Sequence, residues 1–156
     1  MATVDKSSAV IRTAVPSDID CIAEIEREVM SPVIYPAFFF RQALSIFGDG
    51  FLVATLNSRP CGYLIVGQHN RDATIAEIYS VVVSPVSRGA GFGRALLDTA
   101  FKWANSRGVK KITLTVSPEN TLAISLYESI GFREVERIED YYGPGGVRNI
   151  MSAEVR

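Results

Sequence analysis

The chain has 156 residues, 47% hydrophobic and 21% charged, the balance of a globular protein large enough for one sizeable core. Lys and Arg number 16 against 17 Asp and Glu, a net charge of -1, so there is no basic footprint for nucleic acid. The two cysteines stand outside any Cys-x-x-Cys pattern and His69 is the single histidine, which argues against a His-based triad or metal site; no apolar run approaches the roughly 18–20 residues a membrane helix needs.

One domain is expected over residues 1–156, with the polar residues 1–8 loose and without the apolar core of a secretion signal. Cys21 and Cys61 are expected to be reduced thiols of a cytoplasmic protein. Ala9 to Ala14 is the first strand. Pro16 and Asp18 suit a helix start, and Ile19, Ile22, Ile25 and Val29 recur at helical spacing. Pro32 and Pro36 break that helix, and a second one runs from Ala37 to Phe47, with Gly48 at its end. Tyr35, Phe38, Phe39 and Phe40 read first as core, but so apolar a connection can also wall a substrate cleft.

Gly50–Leu56 and Gly62–Gln68 form a hairpin about Asn57–Pro60, and Thr74–Val83 is a long strand after a turn that holds His69. Phe92–Arg107 is a helix ended by Gly108, and Lys111–Val116 alternates as a strand. A last helix ends at Gly131. Phe132–Tyr142 and Val147–Val155 then form a long hairpin around Gly143–Gly146. The fold class is α/β (mixed α+β): a mixed sheet of six to seven strands with helices on both faces, built around one strand–helix–strand unit.

From the end of the fourth strand into the helix at Phe92 runs Val81-Val82-Val83-Ser-Pro-Val-Ser-Arg88-Gly89-Ala90-Gly91-Phe92-Gly93-Arg94. Glycines at alternate positions let backbone N–H groups converge, and a helix N-terminus adds unpaired donors and partial positive charge. With Arg88 and Arg94 beside it, this loop suits a diphosphate. Its spacing fits neither Gly-x-Gly-x-x-Gly nor a P-loop; it fits Arg-x-x-Gly-x-Gly. Against that stands the plain reading of a glycine-rich turn. Downstream, Asn120, Ala123 and Tyr127 stack on one helical face: an amide, a clearance and a phenol, able to line an extended polar ligand. The plain reading there is a capping Asn and a packed Tyr.

Arg88-x-x-Gly91-x-Gly93 resembles the acetyl-CoA pyrophosphate loop of the GNAT superfamily of N-acetyltransferases. Asn120-x-x-Ala123-x-x-Leu126-Tyr127-x-x-x-Gly131-Phe132 resembles the second signature of the same family, in the same order and at the usual separation. The resemblance implies the GNAT-like acyl-CoA N-acyltransferase fold, acetyl-CoA as co-substrate and no metal. By the resemblance, Val81, Val82 and Val83 present backbone groups to the acetyl and pantetheine parts. Arg88, Gly89, Ala90, Gly91, Phe92, Gly93 and Arg94 hold the pyrophosphate. Asn120 bonds the pantetheine arm and Tyr127 lies beside the thioester sulfur.

Glu77, a carboxylate in an apolar strand, needs a partner or a role. It matches the position where some GNAT members keep a base for the amine; a solvated acid or an ion pair is the alternative. Asp140-Tyr141-Tyr142-Gly143 with Asn149-Ile150-Met151 looks like the ribosomal-protein alanine N-acetyltransferase branch, where a double tyrosine lies near the acceptor peptide. That branch carries a catalytic glutamate where this chain has Thr115, so either Glu77 and water act as base or the acceptor differs.

The resemblance thus implies direct acetyl transfer to a primary amine in a ternary complex. Tyr127 and Glu77 are catalytic, and Tyr35, Tyr141 and Tyr142 face the acceptor. A peptide N-terminus is the first acceptor class and a polyamine, amino acid or antibiotic the second; a silent acyl-CoA-binding module is the other class of function. No nucleic acid or membrane partner is expected, and the protein is a monomer or homodimer.

Overall fold

The computed structural model describes residues 9–156; the segment 1–8, expected to be loose, lies outside the described residues. The described elements are β1 (Ala9–Thr13), α1 (Ile19–Met30), α2 (Ala37–Phe47), β2 (Phe51–Leu56), β3 (Arg59–Gln68), β4 (Ile75–Val83), α3 (Phe92–Ser106), β5 (Lys111–Val116), α4 (Thr121–Ile130), β6 (Arg133–Ile138) and β7 (Arg148–Glu154). The seven strands are hydrogen-bonded in the order β1-β2-β3-β4-β5-β7-β6, a mixed sheet as expected. Two compact units divide the chain: one runs through Val66 and includes Ser80–Ala100, the other comprises Gly67–Tyr79 and Phe101–Arg156.

In the first unit, β1, β2 and β3 form an antiparallel meander, with Val53 opposite Tyr63 and Phe51 opposite Ile65. These four residues share one face by alternation, and α1 and α2 cover it with Ile19, Ile22, Ile25, Phe40 and Ala43. Phe40 is fully buried and meets Tyr63 edge-on at 5.2 Å between ring centroids. Its truncation to Ala should cost about 3–5 kcal/mol. The entry to α1 is fixed electrostatically: Arg12 donates to both oxygens of Asp18 at 2.7 and 2.9 Å, and the Val15 N–H donates to Asp18 at 2.8 Å.

The hairpin strand β3 begins at Arg59, three residues earlier than the sequence suggests. Asn57 and Ser58 both take positive φ, 51° and 65°, so two residues complete the turn. Pro60, which has no N–H, is accommodated beside the irregularity at Ala54/Thr55.

In the second unit, β5 pairs with β7 and β7 with β6, all antiparallel, while the first part of β4 runs parallel to β5 from Ile75↔Lys111 to Ile78↔Leu114. Helix α4 is closed at both ends. Asn120 Oδ1 accepts the Ala123 N–H at 3.2 Å, and Gly131 turns left-handed at φ 118°. The Phe132 N–H then reaches the Tyr127 carbonyl at 3.0 Å, and the Phe132 ring packs on Phe101 and Tyr127.

The expected strand Phe132–Tyr142 is a correction. It ends at Ile138, and residues 139–146 fold into successive turns. The Gly143 N–H bonds the Asp140 carbonyl at 3.1 Å and the Gly146 N–H the Gly143 carbonyl at 2.9 Å. Positive φ at Gly143 and Gly145, 98° and 79°, is incompatible with a continuing ladder.

Candidate active site

The first unit holds the glycine loop. A single 3₁₀ turn, Pro85–Ser87, leads out of β4, and the Arg88 N–H closes on the Pro85 carbonyl at 3.4 Å. Gly89 and Gly91 then take φ of 78° and 88°, a region side chains with a Cβ rarely adopt. Nothing crowds a Cβ at Gly89, so the requirement there is backbone conformation rather than space. The bond from the Ala95 N–H to the Gly91 carbonyl, 3.0 Å, is the first turn of α3, so the N–H groups just ahead of it end at the loop. Arg88 and Arg94 are exposed beside it. A backbone nest, a helix N-terminus and two guanidinium groups fit a diphosphate.

On β4, Val82 is buried in the core under α1 and α2, while Val81 and Val83 are half-buried. Gly62 on β3 lets this stretch approach: a Cβ there would lie 2.9 Å from the Val82 carbonyl oxygen. Cys61 is buried, and burial pushes its thiol up despite the Ser87 hydroxyl beside it, the opposite of an activated nucleophile.

The same unit contains a polar group that the sequence reading did not select. Glu26 on α1 is 1% exposed. It accepts a very short hydrogen bond from the Tyr63 hydroxyl and one of 3.2 Å from the Tyr35 N–H, and Tyr63 in turn meets Ser80 Oγ at 3.0 Å. Burial, then the adjacent carboxylate, drives the Tyr63 phenol well above its usual range. The signal was present: Glu26 continues the spacing Ile19, Ile22, Val29 along the buried stripe. Tyr35 itself stacks on Phe39 at 4.2 Å.

The second unit gathers Glu77, Tyr141 and Tyr142 and adds residues the sequence had not marked. Glu77, opposite Thr113 on β5, is about one-third exposed and faces His69 at 3.4 Å between Oε2 and Nε2. His69, read as a solvated turn residue, is exposed but paired. Tyr141 and Tyr142 lie edge to face at 4.8 Å, and the Arg148 guanidinium covers the Tyr142 ring at 4.9 Å. Burial and then the Glu77 charge hold the Tyr141 hydroxyl above its ordinary range. Thr115 is half-buried opposite Ile150.

Tyr127 is 7% exposed, and burial pushes its phenol up to about 12, so it stays protonated at any working pH. Asn120 is exposed, with Oδ1 committed to the α4 cap, which leaves its amide nitrogen as the group that can address a ligand. Among the described residues no cluster of His, Cys, Asp and Glu could hold a metal, and no helix is long and apolar enough to cross a membrane.

Comparison with known proteins gives these sites a context. The chain is 33% identical over 153 residues to the N-alpha-acetyltransferase of Sulfolobus acidocaldarius, covering 92% of this chain and 90% of that one. Ard1 of Thermoplasma volcanium has the same fold, with a TM-score of 0.88 and 23% identity over 96% of this chain and 99% of that chain. The ribosomal-protein-S18-alanine N-acetyltransferase of Escherichia coli follows at a TM-score of 0.80, 25% identity and 94% of both chains. The Acetyltransferase (GNAT) family model matches residues 19–132, the span that contains both signatures, and the chain therefore belongs to the GNAT family of acetyltransferases.

Proposed function

We propose that this enzyme moves an acetyl group from acetyl-CoA to the α-amine at a polypeptide N-terminus. The observation that carries the acceptor assignment is the Glu77 carboxylate, about one-third exposed, whose charge acts on the Tyr141 hydroxyl, with Tyr142 edge-on to Tyr141. A carboxylate beside aromatic rings suits an ammonium group at the end of a chain. The relative named an N-alpha-acetyltransferase, alike over nine-tenths of both chains, supports the same class.

In this reading the loop Arg88, Gly89, Ala90, Gly91, Phe92, Gly93 and Arg94 binds the pyrophosphate of acetyl-CoA. The backbone of Val81, Val82 and Val83 and the Asn120 amide align the thioester arm. Glu77 removes a proton from the ammonium, and the freed nitrogen attacks the thioester carbon. Backbone N–H groups at the end of β4 stabilise the charge that develops on oxygen. The C–N bond forms and the C–S bond breaks. The second nitrogen proton ends on the departing sulfur, which Tyr127 meets as a hydrogen-bond donor. Tyr35, Tyr141 and Tyr142 line the acceptor side, in a single catalytic domain.

A small-molecule amine is the second reading, favoured by Thr115, which replaces the glutamate of the ribosomal-protein branch. The test is a panel of short peptides with free N-termini, the same peptides N-terminally blocked with one lysine, and small amines. Free thiol release and product mass are followed. Turnover on free N-termini is expected; turnover confined to small amines or lysine defeats the α-amine assignment.

A further inference from the structure

We propose that Glu26 is a positioning residue for the acceptor: its buried carboxylate clamps the segment between α1 and α2 through the Tyr35 N–H and ties it, through Tyr63, to Ser80 on β4. A carboxylate 1% exposed, with no cationic partner among the described residues, is expensive to keep in a core. Replacing such a group by an apolar one of similar volume is often neutral or stabilising, so stability alone does not account for it. What it holds does. One oxygen accepts from the Tyr35 backbone at 3.2 Å and the other from the Tyr63 hydroxyl. Tyr63 continues to Ser80 Oγ at 3.0 Å, one residue ahead of the Val81–Val83 stretch.

The segment from Ser31 to Pro36 contains no helix or strand of its own, so these bonds, with the stacking of Tyr35 on Phe39, fix its course. The clamp rests on the assignment of Tyr35 to the acceptor side. It adds that Glu26, without touching the substrate, sets the distance between that wall and the acyl-donor strand.

The test compares Glu26→Ala, Glu26→Gln and Tyr63→Phe with the wild type, measuring acceptor KM, kcat, acetyl-CoA Kd and Tm. Gln can keep the clamp: its carbonyl accepts from Tyr35, its NH₂ donates to a rotated Tyr63 hydroxyl, and Tyr63 donates to Ser80. Glu26→Ala should raise acceptor KM about tenfold, as expected for losing a charge-assisted bond, with kcat and acetyl-CoA Kd within about twofold. Glu26→Gln should recover most of that loss. Tyr63→Phe, which keeps the packing, should show a smaller rise and serves as the readout if Glu26→Ala fails to fold. Wild-type turnover on an amine with unchanged acceptor KM in the folded variants overturns the clamp alone. So does a parallel loss of acetyl-CoA affinity and Tm without a selective KM effect. Absence of any amine turnover by the wild type overturns both the clamp and the functional reading beneath it.

Discussion

Tyr127→Phe removes one oxygen from a buried ring and leaves its packing on Phe132, at 5.8 Å, in place. The sequence places a phenol at this position, and burial pushes it up to about 12. Against a departing thiol of ordinary pKa near 8.5, outright proton transfer from such a phenol is uphill by about 3.5 pK units, roughly 5 kcal/mol. Tyr127 is therefore expected to act by a hydrogen bond that strengthens as charge grows on sulfur. A bond of that kind contributes about 1.5–3 kcal/mol, or about 10–150-fold in kcat. That lies below the upper end of the about 10²–10⁴-fold range of a full general acid. The assay is thiol release at saturating substrates, with acetyl-CoA affinity by calorimetry and Tm as controls; both controls should hold. Wild-type kcat should show no alkaline limb near pH 10, where an ordinary tyrosine would titrate. A Phe variant within about twofold of wild-type kcat refutes the role, and a limb near pH 10 that vanishes in the variant refutes the argument from burial.

Three further outcomes are expected. Gly91→Glu puts a Cβ where φ is 88° and a carboxylate where a diphosphate is to bind, so calorimetry should show acetyl-CoA binding lost in a folded variant. Burial pushes the Asp18 carboxyl up, but its bonds to Arg12 and the Val15 N–H outweigh this and hold it below the usual carboxylate range. The pair thus stabilises the protein above an unfolded-state pKa of about 3.9 and is lost as pH falls through the lower folded value. Asp18→Asn should lower Tm by about 5 °C at neutral pH and flatten the acid limb of a Tm–pH series; an unchanged limb counts against it. Glu77→Gln should lower kcat/KM at neutral pH and recover as pH rises and free amine forms unaided, whereas a loss constant up to about pH 10 marks a structural acid.

Most of the architecture was legible because burial follows short periodicities. Lys111–Val116 alternates, and Ile112, Leu114 and Val116 are the buried set. Helix α2 ends where Gly48 provides a positive φ, and α4 where Gly131 does. The C-terminal hairpin was legible as a pair of strands, but the end of its first strand was not. Val135 and the tyrosines look like strand residues, but three glycines and Asp140 in residues 140–146 satisfy their backbone groups locally, and the ladder stops at Ile138. That early stop places Tyr141 and Tyr142 in a compact turn, with Arg148 over the Tyr142 ring and the Tyr141 hydroxyl in the field of Glu77. Pairings such as His69 with Glu77 and Arg148 over Tyr142 depend on how turns fold, which no local pattern encodes.

The two carboxylates show how far a burial argument can go. Glu77 drew attention as an acid among apolar neighbours, yet β4 buries Ala76 and Ile78 on one face and leaves Glu77 partly in solvent on the other. Glu26 looked like an ordinary polar helix position, yet it falls on the stripe that faces Phe40 and Tyr63. These placements agree with the different roles proposed for them. A base must take a proton and return it to water on every cycle, and of the two carboxylates Glu77, about one-third exposed, is the one with access to water. Glu26 has no such access: each of its oxygens is engaged in the core, one by the Tyr35 N–H and the other by the Tyr63 hydroxyl. The exposed acid is the one suited to chemistry, and the buried one to geometry.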